Sequence, residues 1–442
     1  MKKILSRPLL LYLKILAKVQ LAKVNPVVIG VGGASGKSSV SRLIAEVLSG
    51  KFKVKESRGK NSESGIPLNI LGIELESYNI TDWLKAILLA PVKILTNWEK
   101  YDFYVVEMGI DGPYPPKNMS YLLGVIQPKL GILTNINIEH SQFFDSLTKE
   151  ENELERKKYI LDATAKQELL LLTSIKETGR SIVNLDDPII ASALPLSSIT
   201  VTVSATDKSA DFYISKIINT MESFNVSFVF LKENYEITLS RPLPKYYAHS
   251  LIFTIAAAFS SGINIRESIN LAESKFSLPP GRFSVFKGIK NSTIFDSSYN
   301  SSLESSSGVL DVLNEVGKGE RKVGILGDMR ELGSLGKIQH EQLAKEIIKN
   351  LDFAVLIGPL MQEFAVPVLK KENFEYKSFN TFKEAKDIIP GLILKEDLIL
   401  VKGSQNTLFL ERAVEILLSE KSDRDRLCRR GTYWDKRRKE SS

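Results

Sequence analysis

The sequence predicts an α/β protein built on largely parallel sheets, arranged as two successive domains. Short β-type runs alternate with helical stretches through most of the chain, the pattern of strands joined by crossover helices. At 442 residues the chain exceeds what one ordinary core organises, so two or three domains are expected. The break LPPGR at 278–282 separates two series of such runs and reads as a linker.

Residues 1–24 form a basic amphipathic segment with Lys2, Lys3, Arg7, Lys14, Lys18 and Lys23 and no acidic residue. Its apolar run is cut by Lys14, well short of the roughly 20 residues a spanning helix needs. No small-residue cleavage site follows it, so it is not expected to be a removed signal. Two readings stay open. In one the helix packs on the first domain; in the other Leu5, Leu9, Leu10, Leu13 and Leu16 touch a membrane surface.

The first domain is expected over 25–280. VVIGV (27–31) is a buried-strand run, followed by Val40, Leu43, Ile44, Val47 and Leu48 at helical spacing. YDFYVVEMG (101–109) and KLGILTNI (129–136) are further strands with polar ends. Ligands sit beyond the carboxyl ends of parallel strands, which favours Glu107 and Asn135. The alternating segments ITVTVSA, FYISKII and FNVSFVFL between 196 and 240 predict an antiparallel patch. Helices are expected near 248–262 and 265–275.

STIFDSS, KVGILGD, FAVLIG and LILVKGS are the strands of a second doubly wound domain over 281–425. A basic tail, 426–442, is expected to fray.

Composition excludes little else. Hydrophobic residues at 43% and charged residues at 25% fit a soluble globular protein. Cys428 is the single cysteine, so no disulfide or cysteine-based metal site forms within one chain, which favours a reducing compartment. A net charge of +7 suits nucleic acid, anionic lipid and polyanionic substrates alike.

The segment GVGGASGKSS (30–39) follows a strand and opens a helix. Backbone N–H groups of such a turn cradle a polyphosphate. Lys37 would reach the β- and γ-phosphates, and the Ser38 hydroxyl would ligate Mg²⁺. The usual phosphate-loop spacing is expanded by one residue, because five residues separate Gly30 from Gly36.

That expansion resembles the loop of the Mur ligases, with Gly32 in place of their threonine. Further segments resemble the family in order and spacing: KNSESGIPLNILG (60–72), VVEMG (105–109), QPKLGILTNINIEHSQFF (127–144), NLDDP (184–188) and GRF (281–283). IFDSSYNSSLES (294–305), ILGDMRELG (325–333) with His340, and LVKGSQNTLFLE (400–411) complete the set. The resemblance spans about 25–412. The segments 294–305 and 325–333 resemble the branch that adds D-alanyl-D-alanine. Two departures stand out. The chain begins almost directly at the ATPase domain, without a counterpart of the family's sugar-nucleotide domain. The family's paired aspartates appear here as Asp296-Ser297.

The resemblance implies a central ATP-binding domain and a Rossmann-like C-terminal domain. It implies ATP contacts from Gly33, Ser35, Gly36, Lys37, Ser38, Ser39, Asn61, His249, Arg282 and Asp296, the last two reaching phosphate and ribose. Glu107 and His140 are implied as Mg²⁺ ligands. A lysine carbamylated by CO₂ is implied as a further ligand, and ERKKYILD offers Lys157 or Lys158, with Lys157 the better match. Lys37, His140 and Lys157 would be catalytic; Tyr299, Asn300 and Lys402 would bind substrate.

The expected reaction turns a carboxylate into an acyl phosphate, which an amine attacks to give amide, ADP and phosphate. The expected substrates are a UDP-muramyl tripeptide and D-alanyl-D-alanine in peptidoglycan synthesis, not nucleic acid. The enzyme would be a cytoplasmic monomer, with peripheral contact to an anionic membrane as one reading of its basic helix. Three alternatives stay open: a Mur-like ligase with a lipid-linked or non-UDP acceptor, a P-loop small-molecule kinase, and a nucleotide-binding scaffold without turnover.

Overall fold

The computed structural model describes all residues except 1, 76–78, 139–142, 145–146, 151, 405–407 and 441–442, and all side chains except those and 2–6, 153, 439 and 440. The chain forms two compact units. The first comprises Met1–Lys216, Val226–Ile237 and Ala248–Phe276, the second Ile217–Asn225, Thr238–Tyr247 and Ser277–Ser442.

A nine-stranded sheet runs in the order β2-β3-β1-β4-β5-β6-β7-β8-β9. Its strands are β1 (Val27–Gly32), β2 (Val54–Glu56), β3 (Phe103–Glu107), β4 (Leu130–Leu133), β5 (Arg180–Asn184), β6 (Ile199–Ser204), β7 (Phe212–Asn219), β8 (Phe224–Phe230) and β9 (Glu233–Leu239). The helices of this region are α1 (Lys2–Val24), α2 (Lys37–Leu48), α3 (Gly65–Leu71), α4 (Ile80–Thr96), α5 (Met119–Leu123), α6 (Glu153–Thr173), α7 (Pro188–Ser192), α8 (Tyr246–Ser260) and α9 (Ile265–Lys275).

β2 through β6 pair in parallel. The near-continuous apolar runs of the central strands β1, β3 and β4 follow from burial on both faces, which helices between parallel strands impose. β3, for example, is buried at all five positions. The segment ITVTVSA departs from expectation here: it forms β6, parallel to β5 through Ile182↔Val201. FYISKII departs in the same way: it forms β7, which pairs in parallel with β6 through Val203↔Phe212, so only the β7-β8-β9 end of the sheet remains for the antiparallel patch. A two-residue turn joins β8 to β9, with Leu231 and Lys232 both at positive φ (48° and 67°), the geometry of a tight hairpin whose twist matches its strands. Phe212 and Phe230 stack within this patch, ring centroids 4.2 Å apart.

α1 packs inward, as the first of its two readings expects. Leu13 and Ala17 are fully buried and Leu10 nearly so. Leu13 sits among Leu68, Leu71, Ala86 and Ala90, with Leu9 and Leu16 partly buried beside them. Four of the five leucines expected to meet lipid are therefore turned at least partly into the protein; Leu5 lies among the side chains outside the description.

The second sheet runs β10-β11-β15-β12-β13-β14. Its strands are β10 (Ser284–Lys287), β11 (Thr293–Ser297), β12 (Lys322–Gly327), β13 (Phe353–Ile357), β14 (Tyr376–Phe379) and β15 (Leu398–Lys402). All pairs are parallel except β10 with β11. Helix α10 (Leu303–Val316) follows β11, opened by a reciprocal cap between Ser302 and Ser305. Ile294, Ile325, Val355, Ile399 and Val401 form the centre of its core.

The described part of the tail, expected to fray, is instead held against the rest of the second unit. Arg429 and Arg438 are buried, and both reach the fully buried Glu411, at 2.9 and 3.4 Å. Cys428 lies beside them, 5% exposed, its thiol pushed up to about 12 by burial and then by the nearby carboxylates of Asp296 and Glu411.

Candidate active site

The phosphate loop occupies the turn between β1 and α2. Gly33 and Gly36 adopt φ of 120° and 81°, a region that side chains disfavour. A Cβ at Gly33 would also collide with Thr134 Oγ1. Gly36 is the N-cap of α2 and offers no side-chain cap, so the amides of the first turn face outward as an anion site. Lys37 opens the helix, and its Nζ donates to the carbonyls of Gly33 (2.5 Å) and Ala34 (2.8 Å). Ser38 is half-buried beside it, and Ser39 is buried.

Neighbouring strand ends hold this loop. Asn135 Oδ1 accepts from the Ser35 amide at 2.9 Å, and its Nδ2 donates to Ser35 Oγ at 2.7 Å. Thr134 Oγ1 donates to the Ser35 carbonyl at 2.7 Å. From α6, the buried Glu168 accepts the Gly33 amide at 3.0 Å. Sequence reading offered Asn135 but missed Thr134 and Glu168. Thr134 sits inside a quoted segment; Glu168 lies 135 positions from its partner with no local signal.

The register of β1 against β3 places Val31 opposite Glu107. The carboxylate is thereby set beside the strand that feeds the loop. Glu107 is buried, and Asn61 Nδ2 donates to its Oε1 at 3.2 Å. The Gly109 amide donates to the Asn61 carbonyl at 3.2 Å. Two residues 46 positions apart are thus brought together. An oxygen-only set of Glu107 and the Ser38 hydroxyl is the chemistry that Mg²⁺ takes.

His249 on α8 pairs with Asp186, Nε2 to Oδ2, at 2.7 Å. Burial alone would raise the Asp186 carboxyl. Hydrogen bonds from His249, Ser204, Thr206 and the Ala205 amide outweigh it and hold the group well below the carboxylate range. Its neighbour Asp187 caps α7 through Ile189 and Ile190 and accepts the Ile136 amide at 2.6 Å. Lys157 lies on the early turns of α6, half-buried, with Lys158 exposed next to it. His140 lies outside the described residues.

In the second unit the remaining residues gather at carboxyl strand ends. Ser297 and Lys402 are register partners on β11 and β15. The buried Lys402 donates to the Asn300 carbonyl at 2.9 Å. Asp296 is fully buried, and only its Oδ1 is matched, by the Ser298 amide at 3.0 Å. Burial raises its carboxyl to about 6. The Arg282 guanidinium lies 4.5 Å from the centre of the Tyr299 ring, with Arg429 at 5.3 Å. His340 is a structural clasp: Nε2 accepts the Met329 amide at 3.0 Å and Nδ1 meets the Gly336 carbonyl at 2.6 Å.

A parallel sheet with an expanded phosphate loop, followed by a second doubly wound unit, defines a nucleotide-binding α/β architecture. Residues 31–257 match the family described as Mur ligase middle domain, and residues 281–405 the one described as Mur ligase, glutamate ligase domain. The chain belongs to the Mur ligase family, ATP-dependent ligases that release ADP. It is similar to the UDP-N-acetylmuramoyl-tripeptide--D-alanyl-D-alanine ligase of Bacillus subtilis strain 168, 24% identical, covering 91% of this chain and 78% of that protein. The Escherichia coli K12 ligase of the same name is 24% identical over 86% of this chain and 74% of its own length. Among solved structures, MurF from Acinetobacter baumannii superposes with a TM-score of 0.73 at 19% identity, covering 91% of this chain and 79% of that one. MurF ligase from Thermotoga maritima in complex with ADP gives 0.72 at 21% identity, covering 92% and 83%.

Proposed function

We propose that this enzyme adds D-alanyl-D-alanine to a UDP-muramyl tripeptide in peptidoglycan synthesis. The observation that carries the chemistry is the β1–β3 register, which seats the Glu107 carboxylate beside the phosphate loop. The shared name of the relatives supports the choice of substrates.

Transfer of the γ-phosphoryl group to a carboxylate brings two anions together, so the site must supply positive charge. Lys37 would release the Gly33 and Ala34 carbonyls and turn to the phosphates. Loop amides would hold the remaining phosphate oxygens. Mg²⁺ would supply charge neutralisation between the phosphates, held by Ser38 and Glu107 and, in the same reading, by His140 and a carbamylated Lys157. Asn61 would keep Glu107 oriented. His249, anchored by Asp186, would meet the nucleotide, as would Arg282 through phosphate and Asp296 through its unmatched Oδ2. Tyr299, Asn300 and Lys402 would bind substrate. A cytoplasmic monomer that contacts the inner surface of an anionic membrane belongs to the same reading.

Mass spectrometry of products from UDP-muramyl peptides, ATP and D-alanyl-D-alanine tests it. An amide product with phosphate release that needs both acceptor and dipeptide is expected. A phosphorylated acceptor that accumulates without the amine would instead make the protein a kinase.

A further inference from the structure

The first unit presents an apolar face that its own fold leaves uncovered. While α1 turns Leu13 and Ala17 inward, its outward side carries Leu11, Ile15 and Val19, each about half exposed. Their four-residue spacing aligns them in one stripe. α4 runs parallel beside it. Tyr12 Oη donates to the Ile87 carbonyl at 3.0 Å, and Gln20 Nε2 and Lys23 Nζ donate to the Asn97 carbonyl at 3.1 and 3.0 Å. The outward side of α4 repeats the pattern with Leu84, Leu88, Val92 and Leu95, of which Leu88 and Leu95 are 73% and 74% exposed. Trp98, 68% exposed, closes the stripe. Apolar surface of this kind, drawn from two neighbouring helices, marks an interaction site.

The charge around the face selects the partner. α1 contains no acidic residue, and the single one on α4, Asp82, is buried. Arg7, Lys18 and Lys85 are exposed on the two helices. Lys23 lies over the Trp98 ring at 3.5 Å, an aromatic and a cation together, as at membrane–water interfaces. Among the described residues no helix is long and apolar enough to cross a membrane. A ridge of leucines bordered by cations fits the plane of a bilayer, where apolar side chains enter the acyl boundary and lysines meet headgroups.

We propose that the outward faces of α1 and α4 dock the protein on an anionic lipid surface. This deepens the membrane contact in the functional reading, and moves it from the leucines that α1 buries to a ridge centred on α4.

The test is co-sedimentation of the full chain with phosphatidylcholine vesicles and with vesicles that also contain phosphatidylglycerol. The protein should partition to the anionic vesicles, and raising the salt should weaken this about tenfold or more. A Leu88→Ser, Leu95→Ser variant changes two side chains that face solvent, so its melting temperature and its ligation rate should match the parent. Its vesicle binding should fall about tenfold or more, through lost apolar burial. Failure of the parent to bind anionic vesicles at low salt overturns the proposal, as does undiminished binding by the variant. So does a dimer in sedimentation velocity that the variant dissociates, which would assign the face to a second copy. Ligation is read separately, so vesicle binding without amide formation would refute the functional reading and leave this one standing.

Discussion

Glu168 accepts the Gly33 amide at 3.0 Å, so a helix far along the chain fixes the first turn of the phosphate loop. The carboxylate sits under the loop and is buried. Glu168→Ala should cost roughly 1–3 kcal/mol, the penalty for leaving a buried donor unmatched. The KM for ATP should rise with it. Glu168→Gln retains an acceptor oxygen and should recover most of both losses; thermal melts and steady-state kinetics read the two effects.

Lys37→Ala should fold normally, because Lys37 donates only to carbonyls of its own loop. Losing such a charge at a transferring phosphoryl group lowers kcat by about 10²–10³. Near-normal turnover in a folded variant would remove the phosphate-loop assignment.

If Lys157 is carbamylated, Lys157→Ala should be inactive and partly restored by a short-chain carboxylic acid. Lys158→Ala, one position along and exposed, should behave like the parent. The opposite pattern would move the modification to Lys158, and two fully active variants would eliminate it.

Asp296 gives a pH signature. Its carboxyl is raised to about 6 by burial, so between its unfolded value near 4 and about 6 the folded state holds the extra proton. Stability contributed by this group is therefore lost as pH rises through that window. Asp296→Asn should raise the melting temperature at pH 8 by the equivalent of on the order of 2–3 kcal/mol, and change it little at pH 4. An equal shift at both pH values would refute the assignment.

Arg429→Met should destabilise the second unit, because Glu411 is fully buried against that guanidinium. Removing one partner of such a pair costs roughly 3–5 kcal/mol. Arg438, at 3.4 Å, remains, so the lower end is expected in denaturant titration.

The parts of the site written in contiguous stretches were legible in the sequence. The glycine turn before α2, Glu107 at the end of β3 and Asn135 beyond β4 each announce themselves locally. The Asn61–Glu107 contact was half legible, since both residues stood in recognised segments but their proximity depends on tertiary structure. Alternation in ITVTVSA marks a strand; it carries no information on direction, which the pairing with β5 decides. The helix α4 was missed because apolar residues on both of its sides blur the helical period. The tail was misread because arginines usually stay in water, and its buried acceptor, Glu411, had no local mark.

The setting of Cys428 gives the molecule a built-in reporter. A thiol that is the chain's only one, packed beneath Arg429 and kept protonated by burial, is shielded from alkylating reagents while the tail is seated. Its labelling rate then times the opening of the segment that covers it. Measured with rising denaturant, that rate separates release of the last strap of chain from collapse of the whole fold, with no dye or tag introduced.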